Sequence, residues 1–316
     1  MKKIRVGVVG VGYLGKFHAE KYARMPDVEL VGVADINSSR AQKIAGQLST
    51  NAFKHHNQLI GKVEAVSIAV PTPAHYGVSK DFLDHGIDVL IEKPMTTSIS
   101  EADALIESAE ARGLILQVGH LERFNPATVA LQDIVRRPLF IEAHRLCLFP
   151  ERNTDVSVVL DLMIHDIDII LNFVQSEILN IHAAGAPVIC EHVDIANVRL
   201  EFNNGCVANV TASRVSAKNQ RKLRIFQKDA YVSVDFAKHE ITVIRQDQNA
   251  CNPLIPGMDI EQLSFSDSDA LEDELSAFIA AVSSREVPQV SGRVGRKSLI
   301  IAMDIMEQIA LRLSNI

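Results

Sequence analysis

Asp161, His165 and Asp168 recur at i, i+4 and i+7 within an almost wholly apolar stretch, Val158–Ile170. In a helix this spacing stacks three side chains in one stripe. Burying ionisable groups is costly unless they are hydrogen-bonded or meet a ligand. A carboxylate one turn from an imidazole can orient the ring and raise its basicity, as a general base requires. The alternatives are a satisfied core network with Asp161 as a cap, or a histidine-plus-carboxylate metal set. No second ligand cluster accompanies the stripe, and no metal is expected. Lys93 stands between Glu92 and Pro94 directly after a short apolar run. There it could stabilise a developing alkoxide, or only pair with Glu92 at the surface. Arg123 and Asn125, in Glu122-Arg123-Phe124-Asn125-Pro126, could hold a sugar or phosphate or serve as hinge residues. His75 and His120 are weaker candidates for lining a cofactor cleft, and His55-His56 reads as exposed loop.

These residues need a scaffold, and the N-terminal stretch supplies its signature. Val6–Val9 is an apolar β-branched run leading into Gly10-Val11-Gly12-Tyr13-Leu14-Gly15. The GxGxxG spacing suits a dinucleotide turn. The first glycine makes the turn, the second lets a pyrophosphate approach the backbone, and the third lets the helix lie close on the strand. A second apolar strand, Leu30–Ala34, ends in Asp35, about 20 residues past the last glycine, where a ribose-binding acid belongs. That carboxylate would repel a 2′-phosphate, so NAD is expected over NADP, although Arg40 lies nearby. Lys2, Lys3 and Arg5 ahead of the run also fit a secretory leader. The glycines, Lys16 and the lack of a small-residue cleavage site argue against one.

Strands and helices alternate through the first third. Helices are expected over 13–25, 38–48, 74–84 and 100–112, the last with a capping box from Ser100. Strands are expected over 63–70, 88–91 and 114–118. Such alternation implies a parallel, doubly wound sheet whose ligands sit beyond the carboxyl ends of the strands. Gly10, Asp35, Pro71-Thr72, Glu92-Lys93 and Gly119-His120 all fall there, on one rim. Past Pro126 the pattern changes to a helix (127–136), a strand (139–146) and a long apolar helix (157–173). A run of strands follows to residue 244, including the hairpin signal Asn203-Asn204-Gly205. A loop over 249–257 and two helices, 269–282 and 294–313, close the chain. The expected fold is α/β: a Rossmann domain over 1–122, then an α/β domain over 123–316 with an open, mainly antiparallel sheet.

Composition narrows the class of function. The 316 residues are 47% hydrophobic and 22% charged with a net charge of −7, which suits a soluble two-domain protein and lends nothing to nucleic-acid binding. Arg136-Arg137 and Arg221-Lys222-x-Arg224 are short basic runs, read as solvated faces or contacts to an anionic substrate. No apolar segment approaches the ~18 residues of a membrane span. Cys147, Cys190, Cys206 and Cys251 are widely spaced, the pattern of free thiols in a reducing cytoplasm.

Taken together, the Gly10-x-Gly12-x-x-Gly15 turn, Pro71-Thr72-x-x-His75, Glu92-Lys93-Pro94 and Asp161-x-x-x-His165 resemble the Gfo/Idh/MocA oxidoreductases, essentially end to end. The resemblance implies NAD bound by Gly10, Gly12, Tyr13, Leu14, Gly15, Asp35, Arg40, Pro71, Thr72, His75, Glu92 and Lys93. It implies Lys93 and His165 as a catalytic pair, either of which could take the proton, with Asp161 binding substrate or orienting the imidazole. It also implies a dimer or tetramer built on the open sheet. Gly119–Pro126 and Thr154–Asp166 are similar to the subgroup that oxidises the 3-hydroxyl of UDP-N-acetylglucosamine, giving a 3-keto nucleotide sugar for amino-sugar and lipid A synthesis. His120, Arg123 and Asn125 would then contact substrate beside Lys93, Asp161 and His165. The rivals are an inositol, free-sugar or imine oxidoreductase of the same family, and an NAD-binding sensor without turnover.

Overall fold

The computed structural model of the chain describes residues 3–149, 156–247, 257–265 and 269–314. Its first compact unit comprises residues 1–121 and 269–297, its second 122–268 and 298–316.

In the first unit β1 (Ile4–Val9), α1 (Tyr13–Tyr22), β2 (Val28–Ala34), α2 (Ser38–Leu48) and β3 (Asn51–Phe53) follow one another. Then come β4 (Ala65–Ile68), α3 (His75–Asp84), β5 (Asp88–Glu92), α4 (Ile99–Ala111) and β6 (Leu116–Gly119). The strands form one sheet in the order β3-β2-β1-β4-β5-β6, and every pairing is parallel. Strand order reverses between β1 and β4, the switch point beyond which such sheets bind ligands. The parallel sheet is buried on both faces. Val6, Val8, Val33 and Leu90 are fully enclosed, as is Tyr22 of α1.

The second unit holds α5 (Pro126–Ile134), β7 (Pro138–Leu146), α6 (Ile164–Phe173), β8 (Ile178–Ala186), β9 (Ile195–Phe202) and β10 (Val207–Ser213). After these come β11 (Gln220–Gln227), β12 (Ala230–Asp235), β13 (Glu240–Gln246) and β14 (Met258–Ser264). These strands order as β14-β13-β12-β11-β7-β10-β9-β8. Only β7 and β10 pair in parallel; the other pairings are antiparallel. Alternate residues such as Val198, Leu200, Ala208, Val210, Leu223 and Ile225 are buried on one face against Ile164, Ile167 and Ile170 of α6.

The chain ends in α7 (Ala270–Ser284) and α8 (Gly292–Leu313). The expected division at 122/123 differs from the compact units here. Leu275, Phe278, Ile279 and Val282 of α7 join the core of Val6, Val8, Tyr22 and Leu90, so a segment late in sequence completes the first unit. Three local readings also change. The cap of α4 is Ser98, whose hydroxyl accepts from the Glu101 N–H, not Ser100. The edge strands β3 and β14 were not expected, being three residues long and polar-rich respectively. The helix expected over 157–173 opens with a π-helical turn, Val159–Met163. The expected loop 249–257 lies outside the described residues except for Gly257, as do Cys251 and the Thr154-Asp155 pair. No helix among the described residues is long and apolar enough to cross a membrane.

Candidate functional site

Strand register puts the punctuated residues on one rim of the first sheet. Val9 pairs with Ala34 and Ile68, Ile68 with Ile91, and Glu92 with Gly119. Gly10, Asp35, the Val70-Pro71-Thr72 corner, Lys93 and His120 each lie at or just beyond these last paired positions.

The Gly-rich turn is built for close approach. Gly10 has φ +82°, and a Cβ on it would lie 2.7 Å from the Ala69 carbonyl oxygen. A Cβ on Gly15 would stand 1.8 Å from the Gly10 carbonyl oxygen, so α1 reaches its position only with glycine there. Gly12 is different: a Cβ there would meet only Arg40, at 3.8 Å. Its bareness answers no demand of the chain itself. No side chain caps α1, so its first N–H groups and positive dipole end suit an anion. Tyr13 and Leu14 are exposed on that first turn. Asp35 is buried, accepting from the N–H groups of Val11 (3.0 Å) and Asn37 (2.8 Å), with Arg40 Nη1 at 3.3 Å. An uncapped helix start, room over Gly12 and a carboxylate after β2 together fit a dinucleotide.

Lys93 is half-buried at the end of β5, and the Lys93–Pro94 peptide is cis. His75, expected to line the cofactor cleft, is instead buried. Its Nδ1 lies 2.9 Å from the Pro94 carbonyl and its Nε2 2.8 Å from that of Val70. The ring sits between the corners after β4 and β5; burial lowers its pKa against the pull of these carbonyls, and the neutral imidazole donates to one of the two. Glu92 turns inward. Its side chain is 12% exposed and lies 3.1 Å from His18 Nε2, in a contact not aligned along the ring N–H. His18 Nδ1 is 3.1 Å from Ser67 Oγ, which is 3.1 Å from the Tyr22 hydroxyl. Glu274 of α7 is fully buried, and neither of its carboxyl oxygens has a hydrogen-bond partner among the described residues.

Burial, and then the negative charge of Glu92, push the Glu274 carboxyl well above its ordinary 4.5. It stays protonated in the fold at pH values where the unfolded chain ionises it. The unfolded state then binds fewer protons, so this group's contribution to stability falls as pH rises above about 4.5. Glu274→Gln should therefore melt higher than wild type at pH 8, with the gap closing below pH 4.5. Melting curves across that range check it; a variant less stable at pH 8 would contradict it.

In the second unit Asp161 lies within the π-helical turn and His165 in the first turn of α6, both half-buried. Such turns recur at functional sites because they re-aim side chains from a regular helix. Asp168 leaves the expected stripe. It is buried and receives Arg123 Nε at 2.5 Å and Nη2 at 3.2 Å, with the Ser298 hydroxyl at 3.0 Å. Arg123, expected to hold substrate, is itself 4% exposed. Asn125 is likewise spent internally. Its Oδ1 caps α5 through the Ala127 N–H, and its amide donates to Glu122 and to the Phe236 carbonyl. Both side chains are thus taken up by partners within the second unit. Arg145 of β7 grips the other acid of α6, donating to Asp166 twice at 2.9 Å and to Glu122 at 2.8 Å. Buried guanidinium–carboxylate pairs thus fix α6, which carries His165. The pairs are missing from the sequence reading, although Arg145 stands in phase with the buried Ile141 and Ala143. Arg221, Lys222 and Arg224 each face a carboxylate, Glu122, Asp235 and Glu142, as a solvated face would. His120 is buried at the end of β6.

A doubly wound parallel sheet with a Gly-rich turn, a following acid and a lysine on the same rim defines a dinucleotide-binding oxidoreductase. Residues 4–120 match the NAD-binding Rossmann fold of the oxidoreductase family, and residues 148–233 match the Gfo/Idh/MocA C-terminal domain. The chain belongs to the Gfo/Idh/MocA family and takes NAD as its cofactor. It is 38% identical over 306 residues to UDP-N-acetylglucosamine 3-dehydrogenase of Acidithiobacillus ferrooxidans, covering 96% of this chain and 97% of that one. A solved structure of the same enzyme superposes with a TM-score of 0.93 at 37% identity, covering 98% of each chain. Inositol 2-dehydrogenase of Rubrobacter xylanophilus is 32% identical, over 68% of this chain and 66% of its own.

Proposed function

We propose that this protein oxidises the 3-hydroxyl of UDP-N-acetylglucosamine with NAD, giving a 3-keto nucleotide sugar. The observation that carries the reading is the 38% identity across 96% of the chain to a 3-dehydrogenase of that substrate. NAD, when bound, supplies the hydride acceptor. The chain's own residues do the rest: His165 takes the hydroxyl proton, Asp161 orients the ring or the sugar, and Lys93 stabilises the developing oxyanion. Gly10, Gly12, Gly15 and Asp35 hold the dinucleotide. The Asp35 carboxylate disfavours a 2′-phosphate, so kcat/KM should favour NAD over NADP; a preference for NADP would contradict that role. In this reading the product, a ketone fit for transamination, feeds amino-sugar and lipid A synthesis in the cytoplasm. The half-exposed face of the second sheet suits a homodimer or homotetramer.

The test mixes protein, NAD and UDP-N-acetylglucosamine with a carbonyl trap and follows NADH. Sustained NADH formation is expected, with myo-inositol turned over poorly. The Rubrobacter relative favours an inositol as second substrate, and turnover of inositol alone would select it. NAD binding with no turnover of either would point to a sensor.

A further inference from the structure

The Glu-Lys-Pro corner contains a carboxylate that does not face the cofactor rim. Glu92 ends β5 with its side chain turned under the sheet edge, 3.1 Å from His18 on the buried face of α1. On the other side it lies against a bare α-carbon. A Cβ on Gly119 would stand 3.1 Å from Cδ and from both carboxylate oxygens. His18 is in turn tied through Ser67 of β4 to Tyr22, one helical turn further along α1.

We propose that Glu92 is a positioning residue for Lys93: its carboxylate, seated between His18 and Gly119, locks the end of β5 to the helix behind the dinucleotide turn and so fixes where the Lys93 ammonium stands. The proposal rests on the role given to Lys93 above. The inner lock joins the two parts of the first unit that must hold register during hydride transfer, the Gly-rich helix and the lysine corner. A displacement of about 1 Å between reacting groups costs on the order of 100-fold in rate.

Charge acts in the same direction as geometry. Burial pushes the Glu92 carboxyl up, but His18, Lys93 and His75 outweigh it and hold the carboxyl below its ordinary value. The coupling is reciprocal, so the Glu92 carboxylate favours the charged ammonium of Lys93. Among the described residues, Tyr22 from α1 and Glu274 from α7 also bring ionisable groups to this region. Burial and the Glu92 charge push the Glu274 carboxyl well above its ordinary value, and Lys93 is among the charges that act on Glu92. Of the wall residues, Ser67 and Gly119 carry no charge.

The experiment compares wild type, Glu92→Gln, Gly119→Ala, His18→Leu, His18→Gln and Lys93→Met. Melting temperature, NADH binding by fluorescence, and kcat against pH are recorded on whichever sugar the wild type oxidises. Glu92→Gln should bind NADH nearly as wild type, lose about 10- to 100-fold in kcat, and move the alkaline limb of the profile to lower pH. Gly119→Ala displaces the carboxylate without removing it, and should lower kcat with that limb unmoved. His18→Leu should lower kcat too, and His18→Gln, which keeps a polar group against the carboxylate, should recover part of the loss. Wild-type kcat and an unmoved limb in Glu92→Gln, with Lys93→Met inactive, would overturn the proposal. So would a lowered kcat in Glu92→Gln with no shift of the limb and no effect of His18→Leu. Should Glu92→Gln fail to fold, an unaffected kcat in Gly119→Ala and His18→Leu would overturn it. Wild-type kcat in Lys93→Met would instead overturn the role of Lys93 itself, and the two failures are read apart.

Discussion

Lys93→Met is expected to lower kcat about 100- to 1,000-fold, the loss seen when one oxyanion donor is removed from a preorganised site. NADH affinity should stay close to wild type. Methionine keeps the length and most of the apolar stem while deleting the ammonium group, so the corner after β5 should still close. The half-buried position at the strand end matters here, since an ammonium shielded from bulk water acts more strongly on a developing charge than one on an open surface. The surface-pair alternative makes a different forecast. A solvated lysine paired with Glu92 would cost about 0–1 kcal/mol of stability and nothing in rate. Single-turnover rates with NADH titrations on the same variant separate the two.

Gly15→Ala should act through the other half of the machinery. Its Cβ would stand 1.8 Å from the Gly10 carbonyl oxygen and 3.2 Å from Ala69 Cβ. Backbone cannot yield as a flexible side chain does, so α1 must swing away from the turn. We expect a stability loss of about 1–3 kcal/mol from the overpacking and loss of measurable NADH binding. Gly12→Ala is the informative companion. The chain itself leaves room there, with only Arg40 within 4 Å, so the variant should melt near wild type and still bind NADH more weakly. Equal melting with equal affinity at Gly12 would remove the phosphate from that position.

Most of the first unit was legible because its signals are local. A β-branched run, glycines at fixed spacing and an acid after the second strand each report on a few neighbouring residues, and parallel topology follows from their alternation. The strand-end rule then grouped Gly10, Asp35, Pro71, Lys93 and His120 on one rim. What was illegible depends on partners distant in sequence. Nothing near Asp168 or Arg123 announces that they pair with each other across 45 residues, so both read as site residues when they are fixed in the interior. His75 reads as a cleft residue until Pro94 and Val70 are seen to occupy its ring nitrogens. The i, i+4, i+7 stripe presumed a regular α-helix, and the π turn over Val159–Met163 breaks that phase. Glu274 was hidden because α7 follows the second sheet in sequence while its apolar face completes the first core. His18 and Arg145 did carry a signal, a polar residue in phase with a buried face, but the partner that makes each tolerable lies elsewhere in the chain.

Hydride transfer from a defined sugar carbon to NAD can be followed with UDP-N-acetylglucosamine deuterated at C3. Incubation with NAD and a carbonyl trap, followed by mass analysis of the reduced cofactor, reads the donor carbon. Wild type is expected to give cofactor carrying one deuterium, and Lys93→Met is not. Reduced cofactor without deuterium would assign another carbon, and no reduced cofactor from a protein that binds NAD would contradict the nucleotide-sugar reading outright.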